Sequence, residues 1–310
     1  MSTLTIGSLD AGRVGLGCNN FGMRIGEDRA GEVVRAALDA GITFFDTADV
    51  YGGTRSEEFL GKALAGRRDE AIVATKFGST LGEGSGGASA RWVAQACEDS
   101  LRRLGTDRID LYQLHRPDDR VPIAETLGAL DELVQAGKVV RIGNSNFSAA
   151  QIDEAAAASA ASGEAAFVTA QNHFSLLERR VQAEVIPACE RHGLAMLPYF
   201  PLASGLLTGK YTRGEAPPEG TRLALMPSER VDRVLSERNF DLVERLTAWA
   251  EGQGHTILDL AFAWLAAQPT MGPVIAGATS AEQVQANVAA GQWQLAGDEV
   301  VAVDGILAGG

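Results

Sequence analysis

Short apolar runs alternate with longer helical patterns along the whole chain, and this alternation restricts the folds that the chain can adopt. Most of the apolar runs are hydrophobic at every position, which is typical of strands covered on both faces in a parallel sheet. Helical patterns separate them, as expected when helices cover such a sheet. The candidate strands are Val14–Gly17, Ile42–Asp46, Ala71–Lys76, Ile109–Leu114, Val139–Gly143, Phe167–Gln171, Leu194–Pro198 and Gly272–Ala276.

Strands separated by helices, with no visible linker, predict a closed (β/α)8 barrel of the α/β class. A length of 310 residues is enough for one large core, so we expect residues 1–310 to form a single domain, a TIM barrel with long mouth loops. The N-terminal residues are expected to form a short hairpin across one barrel end. The predicted helices include Arg29–Ala40, Ala90–Leu104, Ile123–Ala136, Glu178–His192, Arg233–Glu251 and Thr256–Gln268.

The composition indicates a globular enzyme and excludes several other classes of protein. Hydrophobic residues make up 45% and charged residues 22%, and the net charge of −13 argues against a general nucleic-acid surface. No apolar run could span a bilayer, and the N-terminus lacks the features of a signal peptide. Cys18, Cys97 and Cys189 are widely spaced, which predicts a reducing cytoplasm and no structural metal.

The segment from Gly41 to Leu64 carries the first candidate catalytic groups. Its strand ends on Asp46, and Tyr51 follows in the next loop. A helix opened by Ser56 is expected after this loop, with acidic residues in its first turn, where they suit the helix dipole. A carboxylate and a phenol are thus predicted at the carboxyl end of a barrel strand, where α/β barrels keep their chemistry.

Lys76 and His115 end the next two candidate strands, so their side chains are expected to meet those of Asp46 and Tyr51 at one mouth. Each residue alone has an ordinary structural explanation, such as a capped turn or a solvated lysine. Together they suit carbonyl reduction, because hydride addition leaves negative charge on oxygen that a proton donor must neutralise. Tyr51 would donate this proton, with its pKa lowered by Lys76. Asp46 would hold the lysine, and His115 would orient the carbonyl oxygen or pass a proton.

Nearly the whole chain resembles the aldo-keto reductase family. The matching segments are VGLGCNNFG, GITFFDTADVYG, VATKFG, DLYQLHRPD, AGKVVRIGNSNFS, AQNHFSLLER, LPYFPLASGLLTGKY and VIAGATSAEQVQAN. The resemblance implies that Asp46, Tyr51, Lys76 and His115 form a catalytic tetrad. It also implies reversible reduction of an aldehyde or ketone by a nicotinamide cofactor bound across the barrel mouth. The expected partners are small carbonyl or alcohol compounds, with no nucleic acid, membrane or obligate protein partner.

The resemblance also implies the cofactor contacts. The expected arrangement places Ser145, Asn146 and Gln171 on the carboxamide and Tyr199 on the nicotinamide ring. The loop from Phe200 through Leu202 to Lys210 would cover the pyrophosphate, and Gly277, Thr279, Gln283 and Asn287 would hold the adenosine end. The family often has Lys or Arg at this last segment, which here contains none between Gly277 and Gln283. We therefore expect NADP(H) to bind more tightly than NAD(H) by a modest margin, and NAD(H) use remains open.

Three other interpretations remain at this point. Gly82, Gly84 and Gly87 match the G-x-G-x-x-G dinucleotide fingerprint, but they come too late after the strand and are better read as a loop near the mouth. Lys76 could form a Schiff base in a barrel lyase. The chain could also be a non-catalytic, cofactor-sensing subunit. The substrate is expected to depend on loops around Phe21, Met23, Gly78–Ala88 and Arg213–Val231, which lie near the mouth.

Overall fold

The computed structural model describes residues 3–82 and 85–309, and its centre is a nearly closed barrel of parallel strands. A short antiparallel hairpin, β1 (Thr3–Ile6) and β2 (Leu9–Gly12), precedes the barrel. The predicted (β/α)8 fold and the predicted hairpin are both confirmed. The barrel strands are β3 (Val14–Gly17), β4 (Phe44–Asp46), β5 (Ile72–Phe77), β6 (Ile109–Leu114), β7 (Val139–Ser145), β8 (Phe167–His173), β9 (Ala195–Tyr199) and β10 (Val274–Gly277).

Each barrel strand pairs in parallel with its neighbours, in the order β10-β3-β4-β5-β6-β7-β8-β9. Between β9 and β10 no ladder is recorded among the described residues, and a single bridge joins Met196 to Met271 beside this gap. All eight strands overlap the predicted ones. Two of them run two residues further than predicted, to Ser145 and His173, so polar residues continue the ladder towards the mouth.

Helices surround the barrel and pack on one another in chain order. The predictions for Ala90–Leu104 and Ile123–Ala136 are close to the observed bounds. The prediction of one helix over Glu178–His192 is wrong, because a 3₁₀ turn at Arg180–Gln182 precedes the α-helix. The α-helices are α1 (Glu27–Asp39), α2 (Arg55–Ala63), α3 (Ala90–Leu104), α4 (Ile123–Gln135), α5 (Ala149–Ser162), α6 (Val185–His192), α7 (Ser228–Val234), α8 (Glu237–Gly252), α9 (Ile257–Ala266), α10 (Ala281–Ala290) and α11 (Gly297–Ala308).

The region after β9 is partly helical rather than a plain loop. It contains 3₁₀ turns at Ala203–Thr208 and Leu223–Leu225, followed by α7. The single helix predicted over Arg233–Glu251 is interrupted, since α7 ends at Val234 and α8 begins at Glu237. Ser236 between them has an extended conformation, which ends one helix and admits the start of the next.

The barrel interior changes from apolar to polar towards the mouth. At the other end, the hairpin residues Ile6 and Leu9 join a buried cluster with Phe44, Ala74 and Leu111. Side chains two residues apart on a strand point to the same face. The next inward positions on these strands are therefore Asp46, Lys76 and Gln113, which are all buried. The strand period thus places a polar layer directly above the apolar one.

The helix expected to open with Ser56 begins one residue earlier and is capped differently. Its N-cap is Thr54, a left-handed residue with φ 77° whose side chain makes no capping hydrogen bond. The Ser56 hydroxyl is buried and donates to the carbonyl of Cys18 at 2.9 Å, and it lies 2.8 Å from Thr47 Oγ1. Ser56 therefore ties α2 to the loops after β3 and β4 instead of capping the helix.

In the described part of the chain, no helix is both long and apolar enough to cross a membrane.

Candidate active site

The four predicted catalytic residues come together at the carboxyl ends of β4, β5 and β6. Asp46 and Lys76 lie within their strands, Tyr51 lies in the loop between β4 and α2, and His115 follows β6 directly. The backbone supports this grouping, because the amide of His115 donates to the carbonyl of Phe77. In that loop, a Cβ at Gly52 (φ 61°) would lie 2.3 Å from the Phe21 carbonyl oxygen, so only glycine fits there.

Lys76 is completely buried, and three oxygen atoms hold its ammonium group in place. Its Nζ lies 2.7 Å from Asp46 Oδ2, 2.8 Å from the carbonyl oxygen of Thr47 and 3.5 Å from the Tyr51 hydroxyl. Burial opposes the charge, but Asp46 and Tyr51 together outweigh it and raise the pKa of Lys76. The lysine is therefore held as a cation beside the phenol.

Two glutamines hold the other oxygen of Asp46. Gln171 Nε2 donates to Asp46 Oδ1 at 2.8 Å, and Gln113 Nε2 approaches the same atom at 3.4 Å. Gln113 was missed in the sequence, although it occupies the inward position two residues after Leu111. Gln171 was predicted to bind the cofactor carboxamide. The structure shows its amide nitrogen on Asp46, so cofactor binding by this residue stays a prediction.

Tyr51 lies between the lysine and the open mouth. Burial raises its pKa, and the Lys76 ammonium acts in the opposite direction without cancelling that effect. The net direction is therefore opposite to the lowering expected from the sequence, because desolvation of a buried phenolate outweighs the attraction of the neighbouring cation. A phenol with a raised pKa stays protonated near neutrality, as a proton donor must before it acts.

His115 packs edge-on against Tyr51, with 5.8 Å between ring centroids. Burial, followed by the positive charges of Lys76 and Arg116, lowers the pKa of His115 to about 3. The imidazole is therefore neutral at ordinary pH. A neutral ring has one N–H to donate and one nitrogen to accept, which suits a group that orients a carbonyl oxygen.

A cavity of about 680 Å³ opens directly above these residues. Tyr51, His115 and Asp46 line it at the barrel axis, and it extends past Tyr199 to the start of α10. Its lining therefore combines the reacting groups with a separate region near α10. Among the predicted cofactor residues, those that line it are Ser145, Asn146, Gln171, Tyr199, Phe200, Leu202, Lys210, Gly277, Gln283 and Asn287.

Hydrogen bonds connect the residues predicted to hold the nicotinamide end. Tyr199 donates its hydroxyl to Asn146 Oδ1 at 2.8 Å, and Asn146 Nδ2 donates to the carbonyl of His115 at 2.9 Å. Ser145 Oγ donates to the Gln171 carbonyl and accepts from Asn146 Nδ2. One face of Tyr199 stacks on His173, whose ring is 5.3 Å away at an interplanar angle of 10°. His173 was missed in the sequence, and it braces the tyrosine.

The loop after β9 has an unusual backbone. Phe200, Ala203 and Ser204 are non-glycine residues with positive φ angles of 52°, 46° and 58°. Such conformations cost energy and cluster at active sites, ligand clamps and switch regions. Lys210 follows this loop, and its pKa is lowered by burial and then by Arg24 and Arg222. A cation kept partly desolvated beside other cations is a suitable partner for phosphate.

The predicted adenosine end differs from expectation at Thr279, which does not line the cavity. The amide and hydroxyl of Thr279 both approach Gln283 Oε1, at 2.9 and 3.2 Å. Arg29 of α1 donates to the Thr279 carbonyl at 3.1 Å. The segment from Gly277 to Gln283 contains no Lys or Arg, but Arg29 from a distant part of the sequence brings a basic side chain to this end.

The long connection supplies further cations that the sequence did not reveal. Arg222 Nη2 donates to Asn19 Oδ1 at 2.7 Å and to Asn20 Oδ1 at 2.9 Å. Burial, then Arg24 and Arg230, lower the pKa of Arg222 to about 10. These arginines line the cavity together with Arg116 and Lys210. No local sequence pattern predicts this clustering, since the residues belong to the loops after β3, β6 and β9 and to α7.

Two expectations about the mouth need correction or restriction. Phe21 is fully buried in the core and Met23 is 56% exposed, and neither lines the large cavity. Gly82 and Gly87 lie in the loop after β5, whereas Gly84 is outside the described residues. This loop borders a second cavity, and the barrel fold excludes the Rossmann interpretation.

The three cysteines are free and buried, and no metal-binding cluster occurs among residues 3–82 and 85–309.

Comparisons with known proteins identify a matching family and several similar proteins. The model of the Aldo/keto reductase family matches residues 13–308. Aldo-keto reductase YhdN of Bacillus subtilis is 35% identical over 308 residues, covering 96% of this chain and 91% of the relative. The uncharacterized oxidoreductase YrpG of the same organism is 35% identical over 295 residues, with 91% and 88% coverage.

A different kind of relative is equally similar. A probable voltage-gated potassium channel subunit beta from Arabidopsis thaliana is 34% identical over 276 residues, covering 87% of this chain and 84% of the relative. Relatives with this degree of similarity thus include proteins named as oxidoreductases and proteins named as channel subunits.

Proposed function

The chain belongs to the aldo/keto reductase family, and we propose that it reduces the carbonyl group of an aldehyde or ketone with NAD(P)H, reversibly. The observation that carries the proposal is the chain of contacts from Asp46 through Lys76 to the Tyr51 hydroxyl at the floor of the large cavity. A phenol next to a buried ammonium, at the edge of a cavity, is a suitable general acid for a carbonyl oxygen.

The residues on the cavity wall suit a nicotinamide dinucleotide. Tyr199 offers an aromatic face on the side away from His173, and Lys210, Arg24 and Arg222 offer positive charge further along the cavity. A bound nicotinamide would supply the hydride. Tyr199 would stack on its ring, and the cations would contact the phosphates through charge-assisted hydrogen bonds.

Each tetrad residue has a separate task in the proposed reaction. Tyr51 donates its proton to the carbonyl oxygen as negative charge develops there. Lys76 stabilises the phenolate that remains, and Asp46 holds the lysine in place. His115, neutral because its pKa is about 3, offers a hydrogen bond that orients the carbonyl oxygen. In the reverse direction, the Tyr51 phenolate accepts the proton of an alcohol.

The Schiff-base alternative suits the structure less well. A Schiff-base lysine attacks as a neutral amine that a substrate can reach. Lys76 has no exposed surface, and its pKa is raised by Asp46 and Tyr51 against the effect of burial. Its nitrogen is also occupied by three contacts within hydrogen-bond range. These features support a positioning and electrostatic task instead.

A second candidate function is that of an accessory subunit which binds the cofactor and associates with another protein. The similarity to the Arabidopsis thaliana protein named as a probable potassium channel subunit beta favours it. Both functions use the same cofactor site, so cofactor binding does not distinguish them. They differ in carbonyl turnover and in association with another protein. Stable association with a membrane protein, combined with carbonyl turnover too slow to be measured, would favour the second function.

NADPH is proposed to bind more tightly than NADH, by a modest margin. The positive charge of Arg29 at the start of α10 supports this preference, although Arg29 already forms an ion pair with Glu32 at 2.5 Å. Fluorescence titrations with the two cofactors test it. Equal dissociation constants, or tighter binding of NADH, would contradict the preference.

A screen of carbonyl compounds, followed by nicotinamide absorbance with each cofactor, tests the reaction itself. We expect oxidation of NADPH that depends on an aldehyde or ketone and is lost in Tyr51→Phe. Absence of turnover with aldehydes and ketones across the screen would contradict the proposed function.

A further inference from the structure

The large cavity is positively charged although the whole chain carries a net charge of −13. Five basic side chains line it. Among its described lining residues the only carboxylate is Asp46, which Lys76 neutralises at 2.7 Å. A cleft lined by one sign of charge raises the local concentration of ligands of the opposite sign. The five are Arg24, Arg116, Lys210, Arg222 and Arg230.

Three of these cations form one group along the part of the cavity proposed to hold cofactor phosphates. Arg24 and Arg222 act on one another and on Lys210, as shown by the lowered pKa of Lys210 and of Arg222. A dinucleotide brings at least a pyrophosphate to this region. The group therefore has a sufficient explanation in cofactor binding.

Arg116 and Arg230 lie beside the histidines and aromatic residues of the cavity, and Arg230 also acts on Arg222. Arg116 directly follows His115, and its charge lowers the pKa of that histidine after burial and Lys76. Arg230 Cζ lies 5.8 Å from the ring centre of Phe200, which packs edge-on against Tyr199. Arg230 also lowers the pKa of His173, although burial has the largest effect there. Arg116 thus lies next to a tetrad residue, and Arg230 lies on the aromatic wall that Phe200 and Tyr199 form.

These two arginines differ from others near the mouth in having no carboxylate partner among the described residues. Arg120 lies 2.7 Å from Asp118, and Arg180 lies 2.7 Å from Glu178. In both pairs the carboxylate lies two residues before the arginine in the chain and neutralises the charge of its guanidinium group. Arg116 and Arg230 keep their charge available to a ligand.

We propose that the substrate is a small aldehyde or ketone carrying an anionic group, a carboxylate or a phosphate ester, which Arg116 and Arg230 bind. The inference rests on the proposed reductase function and names its substrate class. A guanidinium group presents a planar set of donors that matches either anion, and the hydrogen bonds are strengthened by charge. Arg116 also borders the second cavity of about 620 Å³, which gives a longer substrate room beyond the tetrad.

Matched aldehydes test the proposal. Succinic semialdehyde is compared with butanal, and glyceraldehyde 3-phosphate with glyceraldehyde, so that each pair differs in the anionic group. We expect kcat/KM to favour at least one anionic member by about 10- to 100-fold, the range expected of hydrogen bonds to a charged group. The pair of aldehydes that shows the larger preference identifies the anionic group of the substrate as a carboxylate or a phosphate ester. The preference should shrink as added salt screens these exposed arginines.

Substitutions of Arg116 and Arg230 test whether these residues cause the preference for the anionic aldehyde. Arg116→Gln and Arg230→Gln should reduce kcat/KM for the anionic aldehyde more than for its neutral partner. Arg180→Gln, which changes a side chain paired with Glu178 and lining neither cavity, should leave the ratio as in wild type. Equal kcat/KM within both pairs would overturn the inference and leave the reductase function standing. The inference would also be overturned if the two variants weakened NADPH binding without changing the ratio. Lack of turnover with all four aldehydes would count against the reductase function and the inference together.

Discussion

The Nζ atom of Lys76 lies 2.7 Å from Asp46 Oδ2, and the two side chains are 0% and 5% exposed. A buried ion pair of this kind has a small net effect on stability, because desolvation offsets much of the attraction. Breaking it is costly, since the remaining charge stays buried without its partner. Because removing one partner costs more than removing both, measurements of stability can test the ion pair separately from catalysis.

The first prediction is that Asp46→Asn and Lys76→Met each lower the free energy of unfolding by about 3–5 kcal/mol, and that the double variant loses much less than their sum. The double variant leaves neither charge unpaired. Denaturant unfolding of the four proteins gives the coupling energy. Additive effects within about 0.5 kcal/mol would show that the two groups do not interact as the distance indicates.

The same variants separate the catalytic tasks. Lys76→Met should reduce turnover more than Asp46→Asn, because only the first removes the cation beside the Tyr51 phenolate. Steady-state kcat measured well below the unfolding temperature of each variant is the readout. If Asp46→Asn were the more damaging change, the tasks assigned to the two residues would have to be exchanged.

The second prediction is that His115 does not titrate between about pH 5 and pH 8, the range in which an ordinary histidine changes charge. Burial, with Lys76 and Arg116, lowers its pKa to about 3. Nuclear magnetic resonance of the imidazole signals, assigned by comparison with His115→Gln, measures this directly. A midpoint near the ordinary histidine value would contradict the low pKa and would allow the ring to donate a proton in slightly acidic solution.

The third prediction concerns Asp49, a fully buried carboxyl in the loop that also carries Tyr51. Neither of its oxygens accepts a hydrogen bond from another side chain among the described residues, and the Val50 amide is the backbone group that acts on it. Burial first, and then the Glu57 carboxylate, raise the pKa of Asp49 to about 7. Below the ordinary aspartate pKa the group is neutral in both the folded and the unfolded chain. As the pH rises towards 7, the unfolded chain ionises first, so stability is progressively lost.

Asp49→Asn should therefore be more stable than wild type at about pH 8, by up to about 4 kcal/mol, and the advantage should disappear as the pH falls towards about 4. Denaturant unfolding at several pH values measures it. Asp153→Asn is the control, because its exposed carboxylate has a pKa lowered by hydrogen bonds from His192 and Arg191. It should gain nothing at high pH. The account of Asp49 fails if its variant shows the same pH dependence as wild type.

The fourth prediction is that Tyr199→Ala weakens NADPH binding by about 1–3 kcal/mol, the scale for stacking of a base on an aromatic ring. Tyr199→Phe should weaken it much less, since the ring and its stacking on His173 remain and only the 2.8 Å hydrogen bond to Asn146 is lost. Fluorescence titration of both variants gives the dissociation constants. Unchanged binding in Tyr199→Ala would place the nicotinamide elsewhere in the cavity.

The barrel could be predicted because its signals are local. Continuous apolar runs predict the strands, and the polar residues Asp46, Lys76 and Gln171 at the ends of three of them predict the mouth. The sequence predicts ends for β7 and β8 that come two residues too early, because the observed last residues, Ser145 and His173, are polar and resemble loop residues. Tertiary pairing with the neighbouring strands extends them.

The parts of the site that could not be predicted depend on contacts between distant loops. Arg222 reaches Asn19 and Asn20 across about two hundred residues of sequence, and no local pattern encodes that approach. The raised pKa of Tyr51 is a second example, because the sequence shows the neighbouring Lys76 but not the degree of burial. Gln113 could have been found, since the strand period places it beside Asp46.

The most direct test of the central claim is the rate of hydride transfer in Tyr51→Phe with saturating NADPH and a carbonyl substrate. The variant keeps the ring beside His115 and loses only the hydroxyl near Lys76. We predict a loss of at least about 10²–10⁴-fold in the rate, with a nearly unchanged NADPH dissociation constant. A rate within a few-fold of wild type would show that Tyr51 is not the proton donor.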